Sequence, residues 1–402
     1  MRTSKRHALF WAALFLFLVA LVLHSRQVYH MSVAAALLWP LSMLLGRHKL
    51  AGLRAIRSAP QVLQAGAVAD VVVRVTNPTT TRRLFVEVTD ELPNKALGGD
   101  PHFLAPVLQP GVETEFRYPL RTSLRGVYRI GPIVLTAADT LGLTTFSRRF
   151  DELGEVIVCP TPVNLPPLWP VGATGRRSRK TRRAVGHDGS DFYNIREYIP
   201  GDDLRRIHWK TTARTDKLMA VQFSREQSLE GNILLDLYQG VHSGEGASST
   251  LEQGVILAAT AARQAQLEGA DVGLIAIGNE DYSVPVSPAV DQYAAILEAL
   301  AYVSPVMPDN WLDAVIERLA GTPRRCAMLV ISPRTDEAAL TVARQLVARG
   351  QIVSWIVLHP TEASHTTFIG QLRSLGCRTR TVNCSLPLQA QFGTGQRAYV
   401  RA

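Results

Sequence analysis

After residue 230, short runs of continuous apolar residues alternate with amphipathic segments of helical length, and this alternation constrains the fold more than any other feature. The strand-like runs are GNILLDLY, DVGLIAIG, RRCAMLVISP and QIVSWIVLH. Strands that are apolar on both faces are typical of parallel sheets covered by helices. The pattern therefore predicts a doubly wound α/β domain within residues 189–402, with ligands at the loops after Asp236, Gly278, Ile331 and His359.

Residues 52–165 carry a different pattern, in which polar and apolar residues alternate in short segments between turn signals. DVVVRVTNP and LFVEVTDELP are two of these segments. They predict an all-β domain, an immunoglobulin-like sandwich, although a small barrel would give the same pattern. A proline-rich and basic stretch at 166–188 predicts a linker or exposed loop, whose bases contact solvent, anionic lipid or an acidic partner.

Two apolar runs within residues 1–50 predict two transmembrane helices, at about 8–24 and 28–46. Basic clusters flank both outer ends, and the turn between the runs holds only Arg26, so both termini are expected in the cytoplasm. We therefore expect a multi-pass protein of the inner membrane, with the lipid bilayer as a partner. A cleaved signal peptide is the alternative, but it leaves the second run without a role.

The formal net charge of +9 comes from local clusters and not from a basic folded face. Thirteen of the 43 Lys and Arg residues lie in acid-free stretches near 2–6, 47–57 and 176–183, and the remainder of the chain is slightly acidic. A nucleic-acid binder spreads its bases over a folded surface, so we expect no nucleic-acid partner.

The cysteines are spaced neither for zinc nor for a redox pair, and we expect reduced core thiols. They are Cys159, Cys326, Cys377 and Cys384.

The sequence lacks the motifs of common catalytic chemistry. GxxxxGK[ST] and GxGxxG phosphate loops, HExxH zinc motifs and GxSxG nucleophile elbows are absent, so a hydrolase has no support. Asp236 ends a strand where metal-dependent adhesion domains hold Mg²⁺ through DxSxS, but Tyr238 and Gly240 occupy the serine positions. One carboxylate is a poor Mg²⁺ ligand set, so we expect a degenerate site, with no metal and no cofactor.

Residues 189–224 hold the densest constellation of charged and aromatic side chains, and predict a strand, a turn, a short helix and a returning strand. Arginine and tryptophan are enriched at binding hot spots, but the same cluster can instead lock this segment in place, and both roles stay open. The candidate partner-binding or structural residues are Arg196, Tyr198, Gly201, Asp202, Arg205, Trp209 and Arg214.

This constellation resembles the hallmark of a bacterial family, the proteins named after domain of unknown function 58. The hallmark is an aromatic-x-x-Arg-x-Tyr strand, Pro-Gly-Asp, Arg-x-Ile, Trp and Ala-Arg, which falls here between Gly189 and Leu218. His208 departs from the acidic or amide residue expected before the tryptophan. The resemblance implies two membrane helices, a β-domain, a von Willebrand factor A-like domain and association with MoxR-type AAA+ ATPases.

We therefore expect a non-enzymatic, membrane-anchored scaffold or adaptor that binds a protein partner on its cytoplasmic side, in chaperone-like complex assembly. Docking is expected at the loops around Asp236, His242 and Arg334. The alternative is a metal-dependent adhesion-type module that binds an acidic ligand through Asp236.

Overall fold

The computed structural model describes residues 4–92, 97–139, 142–169, 184–186, 191–199, 207–225, 230–277, 281–287, 291–305, 311–323, 326–360 and 365–392. The chain divides into two compact units, residues 1–159 and 160–402. We refer to them as the β-rich unit and the α/β unit.

Two helices open the chain, α1 (Ser4–Leu23) and α2 (Arg26–Gly46), and many of their large apolar side chains are exposed. Among the described residues, no helix combines the length and the apolarity needed to cross a membrane. The predicted transmembrane hairpin and the predicted multi-pass inner-membrane location are therefore wrong. The polar starts of the helices, SKRH and RQVYH, leave each uninterrupted apolar run below the ~20 residues of a span.

The β-rich unit contains three sheets, with strand orders β1-β3-β7-β5, β10-β9-β4-β6 and β2-β11-β8. Neighbouring strands are antiparallel except for β2 and β11, which are parallel. The strands are β1 (Arg54–Ser58), β2 (Val62–Gln64), β3 (Val68–Thr76), β4 (Arg83–Asp90), β5 (Leu97–Gly98), β6 (His102–Leu108), β7 (Glu113–Thr122), β8 (Gly126–Ile130), β9 (Ile133–Ala138), β10 (Thr145–Phe150) and β11 (Gly154–Cys159).

The core of this unit follows from the alternation seen in the sequence. In β3, Val71, Val73 and Val75 are fully buried while the intervening residues lie nearer the surface. Each such burial contributes about 1.5–3 kcal/mol relative to an exposed side chain. Side chains from all three sheets meet in one core, so this unit is β-rich as predicted, while its immunoglobulin-like topology stays a prediction.

A small antiparallel sheet, with strand order β12-β14-β13, contains much of the hallmark segment. Helix α3 (Trp209–Thr215) precedes β14, and the His208 ring caps it by accepting a hydrogen bond from the Thr211 N–H. The predicted strand–helix–strand order is confirmed. The strands are β12 (Ala184–Gly186), β13 (Asp191–Glu197) and β14 (Met219–Arg225).

The main sheet of the α/β unit is parallel throughout, with strand order β16-β15-β17-β18-β19. Its strands are β15 (Gly231–Leu235), β16 (Val272–Ile275), β17 (Ala327–Ser332), β18 (Ile352–His359) and β19 (Arg378–Asn383). The helices that follow α3 are α4 (Thr250–Glu268), α5 (Gln292–Tyr302), α6 (Trp311–Ala320), α7 (Glu337–Ala348), α8 (Thr366–Ser374) and α9 (Leu388–Phe392).

Helices cover both faces of this sheet. Gly254 of α4 lies against Leu235, Ile331 and Leu358, whereas the alternate strand residues pack in a cluster with α6, α7 and α8. Burial on both faces explains why these strands are continuously apolar. The α/β region predicted from the alternation is present, and its von Willebrand factor A-like assignment stays a prediction.

Residues 160–169 pack as an extended strap along α4. The Val163 N–H donates to Thr260 Oγ1 at 3.1 Å, and the Trp169 indole donates to the Ala261 carbonyl at 2.9 Å. The Trp169 ring lies so close to Gly231 that a Cβ there would be 2.8 Å from it. The start of the stretch predicted as a linker thus includes two buried side chains, Leu168 and Trp169.

Candidate functional site

The candidate site lies where the chain reverses its direction across the parallel sheet. The strand order β16-β15-β17-β18-β19 places β16 on one side of β15 and β17 on the other. The loops that leave the carboxyl ends of β15 and β17 therefore run in opposite directions across the sheet. Ligands of doubly wound sheets bind at such a switch point. The Asp236 N–H donates to the Ile331 carbonyl at 3.1 Å, which joins two of the four loop positions that the sequence indicated.

The Asp236 carboxylate is the centre of this edge and is 2% exposed. Its Oδ1 accepts a hydrogen bond from the Tyr238 N–H at 3.0 Å, and its Oδ2 accepts one from the Ser332 hydroxyl at 2.7 Å. The Ser332 oxygen in turn accepts from the Arg334 N–H at 2.9 Å. These contacts fix the start of both loops to one buried carboxylate.

Arg334 supplies the positive charge that this buried carboxylate needs. Its Nε lies 3.4 Å from Asp236 Oδ2, and its Nη1 donates to Asp336 Oδ2 at 2.7 Å. The guanidinium lies over the Tyr238 ring, with its carbon 4.7 Å from the ring centroid. Asp336 also caps α7 by accepting from the Ala339 N–H, so one arginine connects the β15 loop, the β17 loop and a helix start.

His242 ties the loop after β15 to the first residue of α4. Its Nε2 lies 2.9 Å from the Asp236 carbonyl oxygen, and its Nδ1 lies 3.0 Å from the Thr250 hydroxyl. Because a carbonyl can only accept, Nε2 carries the proton and Nδ1 of the neutral ring accepts from Thr250. Burial lowers the pKa of His242 and the Arg334 charge adds to this effect, whereas the contact with the Asp236 carbonyl and the charge of that residue oppose it. The ring is therefore neutral at physiological pH.

Asp236 and the hydroxyl-bearing side chains near it, which could supply oxygen ligands to a divalent metal, are engaged in other contacts. Arg334 and Ser332 engage Asp236, Thr250 contacts His242, and the Ser249 hydroxyl caps α4 by accepting from the Glu252 N–H. Within the described ranges, no group of three His, Cys, Asp or Glu side chains has an arrangement suited to a metal. Mg²⁺ prefers several convergent oxygen ligands. This set of side chains does not fit the ion as long as the Arg334 guanidinium contacts the Asp236 carboxylate.

Part of the hallmark cluster lies within the described residues. Trp209 begins α3 and is 66% exposed, and Arg214 is exposed in the last turn of that helix. The Tyr198 N–H donates to the Leu218 carbonyl at 2.8 Å, and Arg196 lies opposite Ala220 in the sheet. The remaining candidates, Gly201, Asp202 and Arg205, lie outside the described residues.

The structure brings together Asp236, His242 and Arg334, the residues around which docking is expected from the sequence. Ser332 was missed, although its position at the end of a continuously apolar strand is the signal that identifies such residues in a parallel sheet.

Comparison with known proteins assigns a family likeness to part of the chain. Residues 194–375 match the family described as protein of unknown function DUF58. A segment of 115 residues is 29% identical to the uncharacterized protein YeaD of Bacillus subtilis (strain 168), and covers 29% of this chain and 27% of that protein. The chain therefore spans only about a quarter of this relative.

Solved structures give weaker likenesses. Trypsin-activated alpha-2-macroglobulin from Escherichia coli is 18% identical, with a TM-score of 0.23, over 39% of this chain and 9% of that chain. The CARDB domain of PF1109 from Pyrococcus furiosus is 17% identical, with a TM-score of 0.19, over 27% of this chain and 94% of that chain. TM-scores this low carry no argument about fold or function.

Proposed function

We propose that this protein is a non-enzymatic adaptor whose α/β unit binds a protein partner at the carboxyl edge of its parallel sheet. The main support for this proposal is a difference in solvent exposure between residues at that edge. Asp236, Ser332 and Arg334 are buried and hold one another, while Gln239 and Glu245 lie exposed on the loop after β15. Exposed side chains on a loop whose start is held by buried hydrogen bonds suit recognition, because such anchoring limits the conformational entropy lost on binding.

The buried polar groups of this unit favour binding over catalysis. Ser332 is 2% exposed, so a substrate does not reach its hydroxyl. Cys377 and Cys384 are buried, and burial raises the pKa of each thiol to about 11, which keeps both protonated at neutral pH. A nucleophilic cysteine needs the opposite, a lowered pKa and an accessible sulfur.

The partner class that we propose is a MoxR-type AAA+ ATPase. The support for it is the resemblance of residues 189–218 to the hallmark described above, together with the match of residues 194–375. The sequence contains no GxxxxGK[ST] phosphate loop, so in an ATP-driven assembly the nucleotide would be bound by the partner.

Co-purification of the full chain with the candidate ATPase tests this function, without nucleotide, with ADP and with a non-hydrolysable ATP analogue. We expect association in at least one nucleotide state, and we expect it to survive EDTA because Arg334 and not a metal neutralises Asp236. Failure to associate in any state, with the protein shown to be folded, contradicts the adaptor function. Association that requires Mg²⁺ and is lost in Asp236→Ala would instead favour the adhesion-type module.

A further inference from the structure

The outer edge of the main sheet is β19, which the Gln391 side chain covers at Asn383 and which is open at the residues before it. This strand pairs with β18 on one side, and no strand among the described residues pairs with its other side. The Cys384 N–H reaches the His359 carbonyl in the adjoining strand at 2.8 Å, whereas the Asn383 N–H points the other way, to the Gln391 side chain at 2.8 Å. Since backbone groups of alternate residues point to opposite sides of a strand, Thr379 and Thr381 direct theirs to the open side.

A groove of about 250 Å³ runs along this open edge. On one wall, the Arg373 Nε donates to the Thr379 hydroxyl at 2.9 Å. On the other, the Arg380 guanidinium lies 5.9 Å from the centroid of the Phe392 ring. The groove is lined by Arg373, Thr379, Arg380, Thr381, Gln391 and Phe392.

The surroundings of the groove are strongly basic. The described stretch 365–392, which forms the groove, contains three arginines and no aspartate or glutamate. Arg373, Arg378 and Arg380 are exposed on or beside β19. Positively charged edge strands discourage pairing with other positively charged strands and favour acidic ones.

We propose that the β19 edge binds an extended acidic segment of a partner protein by strand addition. The backbone of the added segment would hydrogen-bond to Thr379 and Thr381, and its alternating side chains would point to opposite walls of the groove. Carboxylates on one face of the segment would meet Arg373, while apolar side chains on its other face would lie along the Arg380 stem and the Phe392 ring. This site is separate from the carboxyl edge and goes beyond the function proposed there.

Charge disfavours two other occupants of the groove. A second copy that paired its own β19 here would place arginines opposite arginines, which is destabilising. The sequence after α9 contains Arg397 and Arg401 and no acid, so it lacks the charge that would complement the groove. An acidic partner segment is the occupant that complements the edge.

Fluorescence anisotropy with the full chain and labelled, terminally blocked peptides tests this proposal. We expect the acidic peptide EVEVEVE to bind, and the basic peptide KVKVKVK and the proline-interrupted peptide EVEPEVE to bind at least about 10-fold more weakly. Equal binding of the acidic peptide with and without proline would overturn strand addition, because charge attraction alone would then explain it. No binding of EVEVEVE would overturn the proposal altogether.

Two variants assign the binding to this edge. Thr381→Pro removes an N–H on the open side without touching the ladder to β18, and Arg373→Gln removes one charge from the groove. We expect each to weaken binding of EVEVEVE by about 3- to 10-fold. Arg344→Gln, which removes an exposed arginine from α7, should change nothing. Unchanged binding of the peptide to Arg373→Gln would contradict the assignment to this groove. If the parent protein is a dimer and Thr381→Pro is a monomer, a second copy of the chain and not an acidic partner pairs with β19.

Discussion

Both units of the molecule bury an arginine–aspartate pair, and the two pairs are built differently. In the β-rich unit, Arg57 binds both carboxylate oxygens of Asp90, and its Nη1 donates to the carbonyls of Ile130 and Glu152, each at 3.0 Å. The Tyr118 hydroxyl donates to the same carboxylate at 2.9 Å. The side chains of the pair are 4% and 0% exposed, so this network is closed to solvent.

In the α/β unit, Arg334 is shared between two carboxylates in different surroundings. Asp236 is buried with its side chain 1% exposed, whereas the Asp336 side chain is 49% exposed. The arginine also lies over Tyr238, which is only partly buried. This pair therefore has one side in the core and one side at the loops.

The same residue pair is thus closed inside the core in one unit and reaches the exposed loops of a sheet edge in the other. Arg57 and Asp90 join segments that are distant in sequence, and bidentate geometry makes the contact specific. Arg334 and Asp236 hold two loops at a sheet edge, where ligands of parallel sheets bind.

The largest loss of stability is expected for Asp90→Ala. It leaves the Arg57 charge and the Tyr118 hydroxyl buried without their acceptor, which costs about 3–5 kcal/mol of unfolding free energy. Amide hydrogen exchange along β4 and β7 measures the effect. Asp151→Ala, which breaks an exposed pair with Arg149, is the control and should cost at most about 1 kcal/mol. Similar effects in both variants would contradict a structural role for the closed pair.

Asp236→Ala should cost less, about 2–3 kcal/mol, because Arg334 keeps Asp336 while Ser332 and the Tyr238 N–H lose an acceptor. Urea unfolding followed by tryptophan fluorescence reports this change, since Trp169 and Trp355 are buried in the same unit. Asp281→Ala, which breaks an exposed pair with Arg318, serves as the control. A cost as large as that of Asp90→Ala would remove the distinction between the two pairs.

A smaller, pH-dependent effect is expected from His242. Because its folded pKa lies below the ordinary value of 6.5, the unfolded chain binds a proton that the folded protein does not. Stability therefore falls as the pH drops below about 6.5, by at most about 1.4 kcal/mol per pH unit from this group. Urea midpoints at pH 7.5 and 5.5 should differ less in His242→Gln than in the parent protein. Equal pH dependence of the two proteins would contradict this origin.

The smallest effect is expected for Trp209→Ala. At 66% exposure the side chain contributes little to the core, so the unfolding free energy should change by no more than about 0.5 kcal/mol. Trp355→Ala, at 1% exposure, should cost about 3–5 kcal/mol in the same assay. A loss above 2 kcal/mol in Trp209→Ala would give the hallmark cluster a structural role and not a binding one.

Part of the difference between the two arginine–aspartate pairs can be predicted from the sequence. In RLFVEVTD, Asp90 has the same period-2 phase as Val86 and Val88, which places this acid on the inward face of the strand. Arg57 shares its phase with Ala55 in the same way. That these two side chains meet depends on how β1 and β4 are arranged in different sheets, which residue patterns do not determine.

The candidate site was only partly predictable for a similar reason. Continuous apolar runs indicated parallel strands and therefore the edge on which Asp236 lies. Its contact with Arg334, 98 residues away, requires β17 to lie directly beside β15, on the side opposite β16. The apolar runs do not give this strand order. The strap was not predicted, because a proline-rich composition is typical of a linker. In the structure, hydrogen bonds from Leu168 and Trp169 to α4 hold this stretch against the helix.

If a partner binds at the carboxyl edge of the α/β unit, a matched pair of charge reversals at the two ends of β15 distinguishes that edge from the opposite one. Glu245 is exposed in the loop after β15, and Glu230 is exposed just before the same strand, at the opposite edge of the sheet. The affinity of the full chain for the candidate MoxR-type AAA+ ATPase should fall at least about 10-fold in Glu245→Lys and stay unchanged in Glu230→Lys. Equal affinities of the two variants, with both proteins as stable as the parent, would contradict docking at this edge.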